Sequence, residues 1–367
     1  MTVQRIDVIR PAELSPTDLE LWGEMRASTA AEANPFMSPE FCQAIGRVRP
    51  GARVAVVRQN GEPAGFFPFE RGRWGRGRAI GLGVSDSQGA VLRPGVVVDP
   101  HELLRASSLS VWEFNHLESG QDLFLPFATG RFASPVIDID IAGGYAGYET
   151  LLRAGSRTFL KATRAQERRL ARQAGPLRFV FDERSPAVLR MLMAWKSAQY
   201  RRTGRRDRFA QDWINNLVRM LATTQAPSCS GLLSVLYAGG RPVAAHFGLR
   251  SRTVLSCWFP AYDRDFATFS PGRVLYLRMI EAAAAAGIGM LDLGRGEAAY
   301  KDSLKTRELT VHEGAVLRAG AGAALHWLSH EPPRAVRGFV RERPQLKAAA
   351  LRTLAMVGRV RDRTPRP

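Results

Sequence analysis

Apolar and polar positions along the chain alternate between short strand-like runs and longer stretches with helical spacing. Residues 16–30 carry a helical pattern behind Ser15-Pro16, a usual helix opening, and residues 39–48 read the same way. Three strand-like runs follow, RVAVVR at 53–58, EPAGFFPF at 62–69 and residues 78–84. Asn60-Gly61 between the first two predicts a tight hairpin, because both residues tolerate the positive φ that such a turn requires. SDSQG at 85–89 reads as a loop of small polar residues, and a helix at 100–107 with strands at 111–116 and 135–139 completes this part.

A second part repeats the order more clearly. A long helix is predicted over 148–173, stopped by Gly175-Pro176, followed by a strand at 177–181. Ser185 caps a helix that has Pro186 at its first position and runs to about Thr203, and another covers 209–223. Strands at 231–237, 242–249 and 253–260 come next, the first pair joined through Gly239-Gly240. A helix at 272–286, a strand at 290–293, a short helix at 297–304 and a strand at 311–317 close the series. This recurrence predicts an internal duplication, with the join near 141–148, where Gly143, Gly144 and Gly147 loosen the chain.

Composition narrows the partners. The chain has 367 residues, enough for two or three domains at roughly 100–200 residues each. Its 52 Lys and Arg against 34 Asp and Glu leave a net charge of +18, which favours phosphates, nucleic acid or an anionic membrane surface. Arg153, Arg157, Lys161, Arg164, Arg168 and Arg172 form one stripe on the predicted 148–173 helix, and YRRTGRRDRF at 200–209 makes a second cluster. Each suits a polyanionic or nucleotide-linked substrate, and each is equally a solvated face. The tail at 334–367 holds ten Arg or Lys against two acids, with an apolar helical face over 346–360, fit for an anionic membrane surface or a solvated terminus.

Several chemistries find no support. The longest uncharged apolar stretch, 282–291, is far short of the roughly 18 residues that cross a bilayer, and MTVQRIDVIRPAE lacks a signal-peptide core, so a cytoplasmic place is expected. Cys42, Cys229 and Cys257 and the six histidines have no metal-ligand spacing, so no metal is expected. Gly-x-Ser-x-Gly, a strand-linked GxGxxG and GxxxxGK[ST] do not occur, which removes the usual covalent-hydrolase, dinucleotide and P-loop readings.

Candidate chemistry gathers in residues 259–305. Ser270, Pro271, Gly272 and Arg273, followed by Val274, open a helix whose free N–H groups and dipole would hold a phosphate, although ordinary helix initiation by Ser-Pro uses the same letters. In LDLGRGEAAYK, Asp292 sits in a strand, Arg295 and Glu297 at its mouth, and Tyr300 and Lys301 on the next helical turn. Glu297 and Tyr300 are three apart and can share a helix face, the phenol placed to protonate a leaving thiolate and the carboxylate to take a proton from an amine. His246, between Ala244 and Gly248 on a predicted strand, is either a ligand-facing ring or a satisfied core histidine.

These segments, RPVAAHFGL, PAYDRDFATFSPGRVL and LDLGRGEAAYKDSLK, with Ala194-Trp195-Lys196, resemble the GNAT-type N-acyltransferase domain of the CelD-like family. That family is associated with bacterial exopolysaccharide and cellulose synthesis and is distantly related to the Fem peptidyltransferases. The resemblance covers about 148–317, and the first part only weakly, through NPFMSPEF and SDSQG. It implies an α+β, tandem GNAT-like fold of two mixed-sheet halves flanked by helices, the N-terminal half degenerate, divided as 1–145, 146–320 and a basic tail at 321–367. It further implies acyl-CoA held at Ser270–Val274, and an amine acceptor on an amino sugar or a nucleotide- or lipid-linked sugar, contacted by Arg295, Lys301, Tyr262 and Asp86. Tyr300, Glu297, His246 and Asp292 would carry a direct attack of the amine on the thioester, with no covalent acyl-enzyme. The phosphate loop departs from the Gln/Arg-x-x-Gly-x-Gly/Ala form, which leaves the aminoacyl-tRNA donor of the Fem relatives as one alternative. A non-catalytic module recruited to the inner-membrane surface by the tail is another.

Overall fold

Asn60 and Gly61, at φ 53° and 87°, turn β2 (Ala52–Gln59) directly back onto β3 (Glu62–Arg71), as the dipeptide predicts. The computed structural model describes residues 4–29 and 33–320 together with Ala323, so the basic tail and its helical face lie outside the described residues. Ahead of the hairpin stand β1 (Gln4–Ile9), α1 (Pro16–Thr29) and α2 (Pro39–Val48), the last capped by the Ser38 hydroxyl, which accepts from Phe41 N. Behind it come β4 (Arg76–Ala79), the two-residue β5 (Val91–Leu92), α3 (Pro100–Ala106), β6 (Val111–Glu118) and β7 (Ala128–Asp138). The expected strand at 78–84 is therefore cut to its beginning, because Gly81 and Gly83 at positive φ turn the chain out of the sheet.

The second series runs α4 (Gly144–Gly155), α5 (Arg157–Ala174), β8 (Leu177–Val180), α6 (Pro186–Arg202), α7 (Asp212–Thr223), β9 (Ser230–Ala238), β10 (Arg241–Arg250), β11 (Val254–Tyr262), α8 (Pro271–Ala285), β12 (Met290–Asp292), α9 (Ala299–Leu304) and β13 (Arg307–Leu317). The single helix expected over 148–173 is two, because Gly155 ends one and Ser156, at φ −134° and ψ 36°, leaves helical space before the next. Arg153 consequently stands on a different helix from the rest of the arginine stripe.

All the strands belong to one sheet, in the order β1-β2-β3-β4-β6-β13-β7-β12-β11-β10-β9-β8, with β5 on the side against β3. The order reads the same from both ends. β1 through β4 pair antiparallel and β4 meets β6 in parallel, just as β8 through β11 pair antiparallel and β11 meets β12 in parallel. The last strand of each series is exchanged: β13 pairs with β6 of the first series and β7 with β12 of the second, and the two exchanged strands pair with each other. The duplication suspected from the sequence is thus a two-half sheet locked at its centre.

Apolar faces follow from these pairings. One core lies between the sheet and α1, α2, α6 and α7, and joins both halves through Trp22, Phe41, Phe66, Leu192, Leu217 and Phe247. Within it Trp22 stacks on Phe66 at 4.8 Å and donates its indole N–H to the Met37 carbonyl at 3.0 Å. Beneath α8 a second core gathers Ile137, Leu255, Tyr276, Met279 and Leu291, so a residue of β7 packs inside the other half. A third, around Phe67, Trp112 and Leu103, belongs to the first half and α3. Burying each such side chain stabilises the fold by roughly 1.5–3 kcal/mol.

Candidate active site

The site is built where β11 and β12 part. They stay in register for three pairs, Val254–Met290, Leu255–Leu291 and Ser256–Asp292, and beyond that the two strands have no mutual partners. Asp292, 4% exposed, stands at the fork. Its carboxylate accepts from Gly294 N at 2.9 Å, Ser134 Oγ at 3.1 Å and Asn34 Nδ2 at 3.2 Å. Asn34 and Ser134 come from the first half, and Asn34 Oδ1 in turn accepts from Phe36 N and Ser256 Oγ. Burial pushes the Asp292 carboxyl up to about 6 in spite of these donors.

Asp86 stands beside it, reached from the first half through SDSQG: a Cβ on Gly294 would lie 3.3 Å from Asp86 Oδ2. Its carboxyl, also raised to about 6 by burial against the pull of Arg208 and Lys301, accepts no hydrogen bond within the described residues. Its nearest base is His116 Nε2 at 3.6 Å, a ring that burial and Arg295 lower to about 4 and so hold neutral near pH 7. Lys301 is buried, donates to Gly294 O at 2.7 Å, and is lowered by burial although Asp86 and Asp292 pull it upward. From α6, Lys196 donates to Pro260 O at 2.9 Å and is lowered to about 8 by burial and by the charges of Arg205 and Arg208.

Behind the fork, under α8, lies a buried polar line. His246 is wholly buried and neither ring nitrogen has a partner; burial and Lys196 lower it to about 3. Its ring meets Tyr276 at 6.1 Å, and Tyr276 meets Tyr300 at 5.1 Å. Burial raises the Tyr300 phenol, which keeps it protonated. Cys257 connects the line to the fork, since its thiol feels Asp292, Lys301 and Asp86 on one side and Tyr276 on the other.

The front of α8 is open in a way that the front of α3 is not. Ser270 sits in the left-handed region at φ 50° and makes no side-chain cap, Pro271 and Val274 are buried, and a Cβ on Gly272 would meet nothing nearer than Tyr262 Cδ1 at 3.9 Å. Arg273 is exposed beside it, 5.3 Å over the Phe159 ring. In the first half the matching position is closed: Asp99 caps α3 with its own carboxylate, and Gln88 Oε1 accepts from Asn115 N and His116 N, closing the gap beside β6. A helix front filled by a carboxylate has no use for a phosphate.

One expectation needs correction. The helix begins at Ala299, because Gly294 and Gly296 at positive φ delay it, so exposed Glu297 shares no helical face with Tyr300. Arg295 is engaged as a brace: it donates to Glu313 Oε2 and Asn115 O, both at 3.1 Å, and lies 3.2 Å over the Phe132 ring. Of the arginine stripe, Arg164 is tied to Glu149. Asn34, Ser134, His116 and Lys196 escaped the sequence as site residues. Asn34 lies in NPFMSPEF and Lys196 in Ala194-Trp195-Lys196, two segments that carry the resemblance, and in the structure Asn34 also caps the turn at Pro35–Met37.

In front of the fork a cleft of about 1100 Å³ runs along the first half from Asn34, Asp86 and Asp292 to Val97, His101 and Phe127. A second, of about 620 Å³, lies between α4, α5 and α8 and is lined by Tyr145, Arg164 and Arg278. The front of α8 lines neither. Among the described residues no three His, Cys, Asp or Glu gather as a metal site, and no helix is long and apolar enough to cross a membrane.

Residues 157–302 match the family model described as an acetyltransferase (GNAT) domain. The match runs from the start of α5 into α9, taking in the α8 front, His246, Asp292, Tyr300 and Lys301 and leaving out Asp86, Asn34 and both exchanged strands. No curated protein matches the chain significantly. Among solved structures, FemX superposes with a TM-score of 0.56 at 11% identity, over 88% of this chain and 99% of that one. The C-terminal domain of a lysylphosphatidylglycerol synthetase from Agrobacterium fabrum gives 0.48 at 15% identity, covering 78% and 90%. A tandem GNAT protein from the clavulanic acid biosynthesis pathway gives 0.47 at 12%, covering 86% and 98%. At such identities the likeness to FemX is one of fold. The fold is the GNAT fold in two halves, and residues 157–302 match an acetyltransferase (GNAT) domain, which supports an acyltransferase.

Proposed function

We propose that the chain transfers an acyl group from acyl-CoA to an amine, in the second half, with residues of the first half completing the site. The observation that carries this reading is the contrast between the two helix fronts: α3 is stoppered by Asp99, whereas α8 has no side-chain cap and presents a small Gly272 and Arg273. The CoA diphosphate would lie on Gly272 and Arg273, with Tyr262 alongside, and the pantetheine arm would follow the free edge of β11 past Ser256. A register shift there leaves Trp258 without a partner in β10, so its peptide group can turn toward a thioester carbonyl.

The amine attacks the carbonyl carbon, a C–N bond forms and the C–S bond breaks. Asp86, raised to about 6 and accepting no hydrogen bond among the described residues, takes the proton lost by nitrogen, directly or through water. The Tyr300 phenol gives a proton to the departing sulfur, and solvent restores both groups. Asp292 holds Gly294 and the seam in place, and Lys301 holds the Gly294 carbonyl. His246, held neutral, packs against Tyr276, the ring that backs Tyr300. Most of the rate enhancement would come from positioning. The resemblance to the CelD-like family points to an amine on a sugar of an exopolysaccharide route, a choice of acceptor that the apolar lining of the large cleft opposes, and a division near residue 145 suits the start of α4.

The charges of Arg205 and Arg208 felt at Lys196 favour a second reading, a Fem-like transfer from aminoacyl-tRNA, whose acceptor end is polyanionic. Thermal shift separates the two. Stabilisation by free CoA and acetyl-CoA, lost in Arg273→Glu, supports the first; silence toward both, with retention of aminoacyl-tRNA on a filter, supports the second.

A further inference from the structure

The large cleft reverses the charge of the molecule. The chain carries +18, yet Asp86, Asp99, Glu118, Asp122 and Asp292 line this cleft, and among the described residues Arg26 is the only Arg or Lys in its lining. Most of its polar groups are already used. Glu118 accepts from Arg26 and Ser87, Asp99 caps α3, and Asp292 is held by its three donors. Gln121 makes two bonds to the Ala90 backbone, and Ser119 Oγ donates to Thr310 O at 2.6 Å. His101 packs edge-on to Phe127 at 5.5 Å. The remaining wall is apolar, formed by Val91, Val96, Val98, Leu123, Phe127 and Leu309, with Val97 83% exposed at the rim.

A sugar needs polar partners along its length, and apart from Asp122 and His101 this wall has committed its side chains elsewhere. An amine needs an acceptor, and Asp86, without a hydrogen bond, waits at the inner end beside the fork. We infer that the cleft binds the acceptor, and that the acceptor is an amphiphilic amine: a primary amine seated at Asp86, carried on an apolar chain that lies along Val91, Val98 and Leu309. This rests on the acyl-transfer reading for its purpose but not for its measurement. The opposed charges explain the partition: the anionic donor enters by the basic second half and the cationic acceptor by the acidic cleft, and they meet at the fork.

The test is direct binding, without donor, by calorimetry on the full chain. Linear alkylamines from butyl to octyl, the matching alcohols and glucosamine are titrated at pH 7. Affinity should rise about two- to fourfold per added methylene, and octylamine should exceed octanol by about tenfold or more. Asp86→Asn should abolish the preference of amine over alcohol while keeping the chain-length series, and Leu309→Asp should flatten that series. Chain-length independence in the unaltered protein, glucosamine binding as tightly as octylamine, or an unchanged amine preference in a folded Asp86→Asn protein overturns the inference. If the series holds but no acyl-CoA acylates any of these amines, the acyl-transfer reading fails and the acceptor cleft stands.

Discussion

Asn34 donates its amide N–H to Asp292 Oδ2 at 3.2 Å across 258 residues of sequence, and this bond joins the loop after α1 to the fork between β11 and β12. The amide orientation is set by its other end, where Oδ1 accepts from both Phe36 N and Ser256 Oγ. Asn34→Ala leaves a buried carboxylate and a buried serine each short of a partner. The expected loss is about 1–3 kcal/mol in urea unfolding, and an unchanged midpoint would show that the seam is held elsewhere.

Asp292 and His246 should bend the stability curve in opposite directions. Asp292 is raised from its ordinary 3.8 to about 6, so folding favours its protonated form. That contribution is full below about 4 and is lost as pH rises through 6, amounting to at most roughly 3 kcal/mol. His246 is lowered from 6.5 to about 3, so folding favours its neutral form, and its contribution fades as pH falls from 6.5 toward 3. Against the parent chain, Asp292→Asn should therefore gain relative stability between pH 4 and 7, and His246→Phe should gain it between pH 6.5 and 4. Parallel curves for parent and variant would refute either assignment.

Catalysis should rise with pH along a limb near 6 as Asp86 loses its proton, and fall away below. Asp86→Asn should remove that limb and lower kcat by about 10²–10⁴-fold, the range of a positioned general base. A retained limb near 6 in the variant would transfer the role to another group.

Gly272 offers a cleaner probe of the donor site than the charge of Arg273. The space around it accepts a methyl group, with Tyr262 Cδ1 at 3.9 Å, and a helix gains about 0.5–1 kcal/mol from Ala over Gly. Gly272→Ala should thus keep or raise Tm while raising KM for acyl-CoA several-fold, because the diphosphate needs the bare backbone. Equal KM in the two proteins would move the donor off this helix.

Because β7 and β13 are exchanged, neither half owns its sheet. Residues 4–143 and 144–320 expressed separately should each fail to show a cooperative unfolding transition, and co-expression should restore one. A cooperative transition in either half alone contradicts the exchange.

Local chemistry was legible in particular places. Pro39 after Ser38 marked α2, Asn60-Gly61 marked the β2–β3 turn, and Ser-Pro-Gly-Arg marked α8, because caps and turns are decided by neighbours in sequence. The 148–173 helix was overextended because periodicity survives a one-residue break, whereas Ser156 does not stay helical. Glu297 and Tyr300 were paired on a helix face that Gly294 and Gly296 displace.

By itself the amino-acid order determined the alternation of strands and helices, the repeated order of two halves, and the Ser-Pro opening of α8, each written in contacts within a few residues. Only the tertiary structure decided which half supplies which part of the site. Asp86, Asn34 and Ser134 are drawn to Asp292 because two strands change places at the centre of the sheet, and strand exchange is settled by packing across hundreds of residues, where local propensity carries no information.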